Sequence, residues 1–415
     1  MRSIAPVSQF EGEFSLPGDK SITHRAVMLN AAADGVSIVR GASIGGDCLS
    51  TCACMRALGA KIDVDGETLY IHGTSHFHSG RTLDCGNSAT TMRLLTGLLS
   101  GKGIEATLVG DASLSKRPMM RVIRPLGLLG GMVRSKGGCA PLHITPATLA
   151  GREIVIDVSS AQVKSALLLA GLSAKGKTTV VEPMQSRDHT EKLLLAMGAQ
   201  VQVKGNRVSV TKGVLTPVSV AVPADFSAAA YLMALGALKG KTLCKGVGIN
   251  PTRTGLLNVF NRMGVRYSLQ NKRSSGGEEL ADILVEQSPL QAVQIRAGEV
   301  PSMIDELPLV ALLCAFADGE SVICGAKELR VKECDRIKAT AALIQALGGD
   351  CEEREDGWRI RGKKTLGGGR VDSFGDHRIA MTAAIGLMAS SRGGELVGEE
   401  CIGVSFPKFF ETLGV

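Results

Sequence analysis

Leu58–Gly73 reads LGAKIDVDGETLYIHG, and Met197–Gly213 reads MGAQVQVKGNRVSVTKG. In both stretches a helical apolar pattern ends on Leu or Met followed by Gly, and alternating residues then form one or two short strands. Gly directly after the last apolar helical residue is the expected cap, where the chain turns left-handed before entering a strand. Period-two alternation marks the strands, and Asp65-Gly66 offers a hairpin turn. Looser copies are LGGMVRSKGGCAPLHITP from Leu129, MGVRYSL from Met263 and LGGDCEEREDGWRIRG from Leu347, whose Asp356-Gly357 offers another turn. A sixth Leu-Gly stands in PKFFETLGV with only Val415 after it, so a partner strand has to come from elsewhere. Ser3–Leu16, SIAPVSQFEGEFSL, can supply it and close the architecture on itself.

Six repeats of roughly 70 residues do not suit a solenoid, whose repeats run about 20–50 residues. They predict an α/β protein of two domains, each built from three βαβαββ-like repeats. The chain leaves the first domain after its opening strand near Pro17 and returns near Pro223. The first domain is then discontinuous, residues 1–17 plus 224–415, and the second is 18–223. PADFSAAAYLMALGAL from Pro223 reads as the crossing followed by a new buried helix. Two crossings make a natural hinge, and the active site is expected in the interdomain cleft.

The chain has 415 residues, 44% hydrophobic and 21% charged, ordinary values for a globular protein with a full core. Aromatics make up only 3%, with one Trp and three Tyr, which argues against a base-stacking nucleic-acid platform. The net charge of +7 fits a cleft lined with Lys and Arg for a small, highly anionic substrate as well as it fits DNA. Eleven scattered Cys read as free thiols in a reducing cytosol; Cys48, Cys52 and Cys54 lack a second ligand pair at zinc spacing. Met1–Phe10 has no signal-peptide core, and no apolar run approaches a membrane span. A cytoplasmic protein with no metal and no membrane partner is the expectation.

The chemistry-bearing motifs sit at helix starts. Pro17–Arg25, PGDKSITHR, clusters Lys20, Ser21 and Arg25 where free backbone N–H groups and the helix dipole favour an anion. Asp84–Arg93, DCGNSATTMR, puts small hydroxyl-rich residues before an apolar helix, without the glycine and lysine spacing of a Walker A loop. Lys116-Arg117-Pro118 fits a carboxylate or phosphate clamp, since an Arg fork donates two bonds at once. Ser159-Ser160-Ala161-Gln162 offers hydroxyl and amide groups for sugar-like oxygens. Asp305 and Glu306 open LPLVALLCAFA; Lys332-Glu333-Cys334-Asp335-Arg336 and Asp376-His377-Arg378 each open a further helix. Taken singly, each motif also reads as capping, a dipole-stabilising acid, a salt-bridged face or a satisfied core His. Together they describe helix N-termini aimed at a multiply charged anion.

These motifs, in this order over essentially the whole chain, resemble the enolpyruvyl transferase family in its shikimate 3-phosphate branch. PGDKSITHRA is similar to the family's PG-x-KS-x-x-x-R segment, GNSATTMR to its GN-[AS]-[GA]-T-x-x-R loop, and KECDR and DHR to its later signatures. The resemblance implies an inside-out α/β barrel architecture, two domains with three-fold pseudo-symmetry, no cofactor and a monomer. It implies transfer of the enolpyruvyl group of phosphoenolpyruvate to the 5-hydroxyl of shikimate 3-phosphate, in aromatic amino acid (chorismate) biosynthesis. Lys20, Ser21, Arg25, Ser160, Gln162, Ser186, Arg187, Asp305 and Lys332 would then contact shikimate 3-phosphate. Lys20, Asn87, Ala89, Arg117, Gln162, Arg336 and Arg378 would contact phosphoenolpyruvate. Asp305 is the candidate base for the 5-hydroxyl, and Glu333 the candidate proton donor, with Lys20 as the competing assignment.

Two departures stand out. Many relatives have Gly where this chain has Ala89; the extra methyl crowds the phosphate end of that pocket, so weak inhibition by glyphosate is expected. Some relatives have Lys shortly before the C-terminal Phe-Pro pair, where this chain has Val404-Ser405-Phe406-Pro407, and Lys408 follows the pair. The alternative within the family is transfer to UDP-N-acetylglucosamine, disfavoured because that branch carries a catalytic Cys near where GDASLSKRP lies. An RNA terminal-phosphate cyclase is disfavoured by the aromatic poverty, and a non-catalytic anion binder by the retained acids and bases.

Overall fold

A computed structural model describes residues 1–415. It divides into two compact units: Met1–Pro17 with Pro223–Arg273 and Glu279–Val415, and Gly18–Val222 with Ser274–Glu278. No helix is long and apolar enough to cross a membrane.

The second unit carries helices α1 (Lys20–Ala31), α2 (Gly46–Ala57), α3 (Ala89–Lys102), α4 (Met120–Leu128), α5 (Ala161–Gly171) and α6 (His189–Ala196). Its three sheets share one strand order. Arg81–Asp84 lies parallel to Ala106–Val109, which runs antiparallel to Cys139–Thr145, with Met132–Lys136 outermost. Glu153–Val155, Thr178–Val181, Arg207–Val210 and Val201–Lys204 repeat the pattern. In the third sheet the edge position beside Gly35–Arg40 is filled by Val220–Ala221, from the far end of the segment.

The first unit carries α7 (Phe226–Lys239), α8 (Gly255–Met263), α9 (Leu307–Phe316), α10 (Arg336–Ala346), α11 (His377–Ala389) and α12 (Phe409–Leu413). Phe10–Phe14 pairs parallel with Gly240–Gly248, and Gln294–Ile295 with Glu320–Ile323, each sheet being completed by a hairpin. The last sheet has no hairpin. Gly369–Asp372 and Gly394–Val397 are joined instead by Arg2–Ile4, with Arg2 opposite Leu396 and Ile4 opposite Gly394. The N-terminal segment thus serves two sheets, Arg2–Ile4 in one and Phe10–Phe14 in another.

Helices form the centre of each unit and sheets the outside. α9, LPLVALLCAF, has no polar side chain and is buried along its whole length, as a helix apolar all round must be. It packs with α7 and α11, both buried over nearly every residue. In the second unit α3 packs on α1 and, most closely, on α5. There Gly97 and Gly101 face Ala166 and Ala170, small residues one turn apart that let the two backbones approach. The glycines of all six Leu/Met-Gly copies, Gly59, Gly130, Gly198, Gly264, Gly348 and Gly414, have φ between 73° and 115°.

The two hairpin turns fall one residue away from their expected places. Gly66-Glu67 and Glu355-Asp356 form the turns. Gly357 belongs to the strand Gly357–Arg361, and it is Gly because a Cβ there would lie 1.9 Å from the Ile323 carbonyl oxygen of the neighbouring strand.

Candidate active site

Six helix starts are capped by side chains from the motifs themselves. Asp19 accepts from Ile22 N–H, Ser88 from Thr91, Ser160 from Val163, Asp225 from Ser227, Asp335 from Ile337 and Lys338, and Asp376 from Arg378. At most of these starts the capping residue stands beside the candidate residues; Ser160 is both a cap and a candidate contact, and the starts of α4 and α9 have no side-chain cap.

In the second unit Lys20 lies on the first turn of α1, its Nζ 3.0 Å from Asp47 Oδ2 on α2. Arg25, one turn on and buried, donates from Nη1 to Ser21 O (2.9 Å), from Nη2 to Ser165 Oγ (2.9 Å) and from Nε to Thr190 Oγ1 (2.6 Å). Burial lowers this guanidinium to about 10, with Glu191 and Asp19 working the other way. Asn87 precedes the α3 cap; its Oδ1 accepts from Arg117 Nη2 at 2.7 Å, and its Nδ2 donates to Asp111 at 2.7 Å. Ala89 is the first residue of α3 and is buried. Gln162, on the first turn of α5, accepts from Arg93 Nη1 at 2.6 Å and donates to Thr90 Oγ1 at 2.9 Å, which ties α5 to α3. Ser160 caps α5. Ser186 is buried with its hydroxyl hydrogen given to Glu182, so its lone pairs remain for any other partner; half-buried Arg187 follows it.

In the first unit the structure gathers Asp305, Glu333 and Arg336. The Arg336 guanidinium is 1% exposed. Its Nη2 lies 2.7 Å from Glu333 Oε2, its Nη1 3.4 Å from Asp305 Oδ1, and its Nε 2.7 Å from Asp376 Oδ2. Burial works against the charge, but the three carboxylates outweigh it and hold Arg336 well above its ordinary value. Lys332 is lowered, chiefly by burial and further by Arg336, with Asp305 and Glu333 opposing. Arg378, buried at the start of α11, hydrogen-bonds Tyr231; Tyr231, Asp305, Glu306 and Asp225 overcome its burial and raise it.

Sequence reading gave no role to Asp376, Asp47, Asp111 or Arg93, which hold the chosen residues in place. Asp376, Arg93 and Asp111 stood inside quoted motifs, whereas Asp47 carries no signal beyond an acid near a helix start. A further buried network, Arg253 with Glu306 (2.9 and 3.0 Å), Ser227 and Asp225, had none either. Asp188, His189 and Glu278 bring one ligand atom each within 4.8 Å of one another. Glu278 already pairs with His189 Nδ1 at 2.8 Å and Lys192 Nζ at 3.3 Å, so the carboxylate is matched by protein donors.

Comparison with known proteins agrees over the full length. The family model of EPSP synthase (3-phosphoshikimate 1-carboxyvinyltransferase) matches residues 4–413. The 3-phosphoshikimate 1-carboxyvinyltransferase of Syntrophomonas wolfei is 44% identical over 423 residues, covering 100% of this chain and 99% of that protein. Its counterpart from Pelobacter propionicus is 45% identical over 420 residues, covering 99% and 97%. The solved structure of EPSP synthase from Acinetobacter baumannii is similar with a TM-score of 0.88 at 40% identity, covering 99% of this chain and 97% of that one. With the family model matched over residues 4–413 and relatives at 44–45% identity covered almost end to end, this chain belongs to the EPSP synthase family.

Proposed function

We propose that the protein transfers the enolpyruvyl group of phosphoenolpyruvate to the 5-hydroxyl of shikimate 3-phosphate, releasing phosphate. The observation that carries this reading is the seat around Arg336: two carboxylates, Asp305 and Glu333, held on one buried guanidinium beside Lys332. It offers an acid and a base within a setting that attracts anions, as addition to an anionic enol ester requires.

The hydroxyl oxygen attacks C2 of phosphoenolpyruvate while C3 takes a proton, giving a tetrahedral phosphate ketal. Loss of a proton from C3 then expels phosphate from C2 and restores the double bond. Asp305 takes the hydroxyl proton, and Glu333 serves C3, with Lys20 the rival for that step. Arg117, Arg336, Arg378 and Asn87 hold phosphoenolpyruvate and steady the charge as it moves between carboxylate, ketal and phosphate. Lys20, Ser21, Arg25, Ser160, Gln162, Arg187 and Lys332 hold shikimate 3-phosphate, with Ser186 fixing the turn that presents Arg187.

Phosphate release from phosphoenolpyruvate tests this, with shikimate 3-phosphate or UDP-N-acetylglucosamine as acceptor, no metal added and the product weighed by mass spectrometry. Release with shikimate 3-phosphate alone, giving the enolpyruvyl ether, is expected. Release with the sugar nucleotide alone means the other branch of the family. No release with either from folded protein rejects the function.

A further inference from the structure

We infer that Lys164, with Glu182 and Glu191, is a positioning residue for the shikimate 3-phosphate half of the site, an inference that rests on the function proposed above. Lys164 stands one turn beyond the Ser160 cap on α5, with its side chain 1% exposed. Its ammonium lies 2.8 Å from Glu182 Oε2, 2.8 Å from Glu191 Oε1 and 3.2 Å from the Ser186 carbonyl oxygen, so three donors meet three acceptors.

Each acceptor leads to a residue of the site. Glu182 takes both the N–H and the O–H of Ser186, which fixes the turn entering Arg187. Glu191 follows Thr190 on α6, and Thr190 Oγ1 is the acceptor for Arg25 Nε. Ser165 follows Lys164 on α5; its Oγ lies 2.6 Å from Thr190 Oγ1 and accepts from Arg25 Nη2. One lysine therefore pins α5, α6 and the Glu182–Ser186 turn, the three places that set the direction of Arg25 and Arg187.

Charge points the same way. Two buried carboxylates against Lys164 leave one negative charge, and Glu191 is the carboxylate that Arg25 feels most strongly. With Arg25 included the group is neutral. A buried ion cluster of this kind is poor value as stabilisation, because well-packed apolar side chains of the same volume hold a core as well. What it fixes is direction.

The test uses full-length protein in two forms, Glu182→Gln alone and the charge-free triple variant Lys164→Met, Glu182→Gln, Glu191→Gln. Calorimetric Kd for shikimate 3-phosphate and steady-state constants for phosphoenolpyruvate are measured beside the unchanged protein. Both variants are expected to bind shikimate 3-phosphate about tenfold more weakly, the worth of one misdirected charge-assisted hydrogen bond. At saturating shikimate 3-phosphate, kcat and the KM for phosphoenolpyruvate should stay within about twofold. An unchanged Kd in Glu182→Gln overturns the inference, as does an equal loss for both substrates. A Glu182→Gln protein that fails to fold overturns it too, since the network is then structural. If the unchanged protein itself does not bind shikimate 3-phosphate, the functional reading beneath the inference falls instead.

Discussion

Gly97→Ala probes the contact that holds the candidate residues of α3 and α5 together in the second unit. A Cβ at Gly97 would sit 2.0 Å from the Ala166 carbonyl oxygen, 2.5 Å from its carbon and 2.6 Å from its Cα. All three are backbone atoms, so no side chain can swing aside. To reach the 3.4 Å of an ordinary contact, α3 and α5 must part by about 1.4 Å. Overpacking a close-packed interior costs about 1–3 kcal/mol, and a clash against backbone belongs at the upper end. For a unit of this size, about 3 kcal/mol lowers the unfolding midpoint by about 6–12 °C. The same separation stretches the Gln162 bonds to Arg93 and Thr90 and shifts Asn87 and Ala89 against Ser160 and Gln162, a displacement of the order that costs about 100-fold in turnover. Scanning calorimetry and steady-state kinetics read both effects. Gly127→Ala is the control: this exposed position on α4 has nothing within 4 Å of a new Cβ, and Ala there should add about 0.5–1 kcal/mol of stability. A Gly97→Ala midpoint within 2 °C of the unchanged protein (about the effect of a fraction of a kcal/mol), or an equal loss in both variants, refutes the reasoning.

His24 is wholly buried, and burial lowers it to about 3. Its contribution is complete above about pH 6.5, where the unfolded chain also leaves it neutral, and is lost as pH falls toward 3. Between pH 7 and pH 5 the loss is about 2 kcal/mol; urea unfolding of His24→Gln should show a pH dependence smaller by that amount, and an equal dependence excludes His24 as the cause. Asp305→Asn should lower kcat by about 100- to 10,000-fold, the range for a lost general base, and a drop under tenfold removes it from that role. Glu333→Gln and Lys20→Met compete for the proton to C3: the larger fall in kcat, measured at saturating shikimate 3-phosphate because Lys20 also holds that substrate, identifies the donor. Ala89→Gly should lower the inhibition constant for glyphosate by opening the buried start of α3, and an unchanged constant frees Ala89 of that effect.

The repeat was legible because each copy ends on a local backbone demand. A helix that must turn into a strand needs a positive φ, only Gly adopts it without strain, and the six copies therefore announce themselves residue by residue. The strand missing from the last repeat could be placed at the N-terminus by the same accounting, and Arg2–Ile4 fills that place. Register could not be read, because it depends on which carbonyl lies opposite. Asp356-Gly357 looks like a turn in sequence, yet Gly357 is demanded by Ile323 on another strand.

In most of the motifs the two competing readings concern different residues; Ser160 is the exception, both a cap and a candidate contact. Asp19, Ser88, Ser160, Asp335 and Asp376 are caps, as the plainer reading held, and the caps are what hold Lys20, Ala89, Gln162, Arg336 and Arg378 at helix starts. K-E-x-D-R does carry an ion pair, Glu333 with Arg336, but Glu333 lies before the Asp335 cap, so the pair spans the helix start and does not lie along a helix face. What no local pattern could supply is the third body. Arg336 is turned by Asp376, 40 residues away, and Arg25 by Thr190, 165 residues away. Such partners leave no periodicity, because they meet only after helices have packed. A motif scan therefore finds the charged groups of this site and misses the buried groups that aim them, and the aiming decides whether a cluster of cations binds an anion in one orientation or in many.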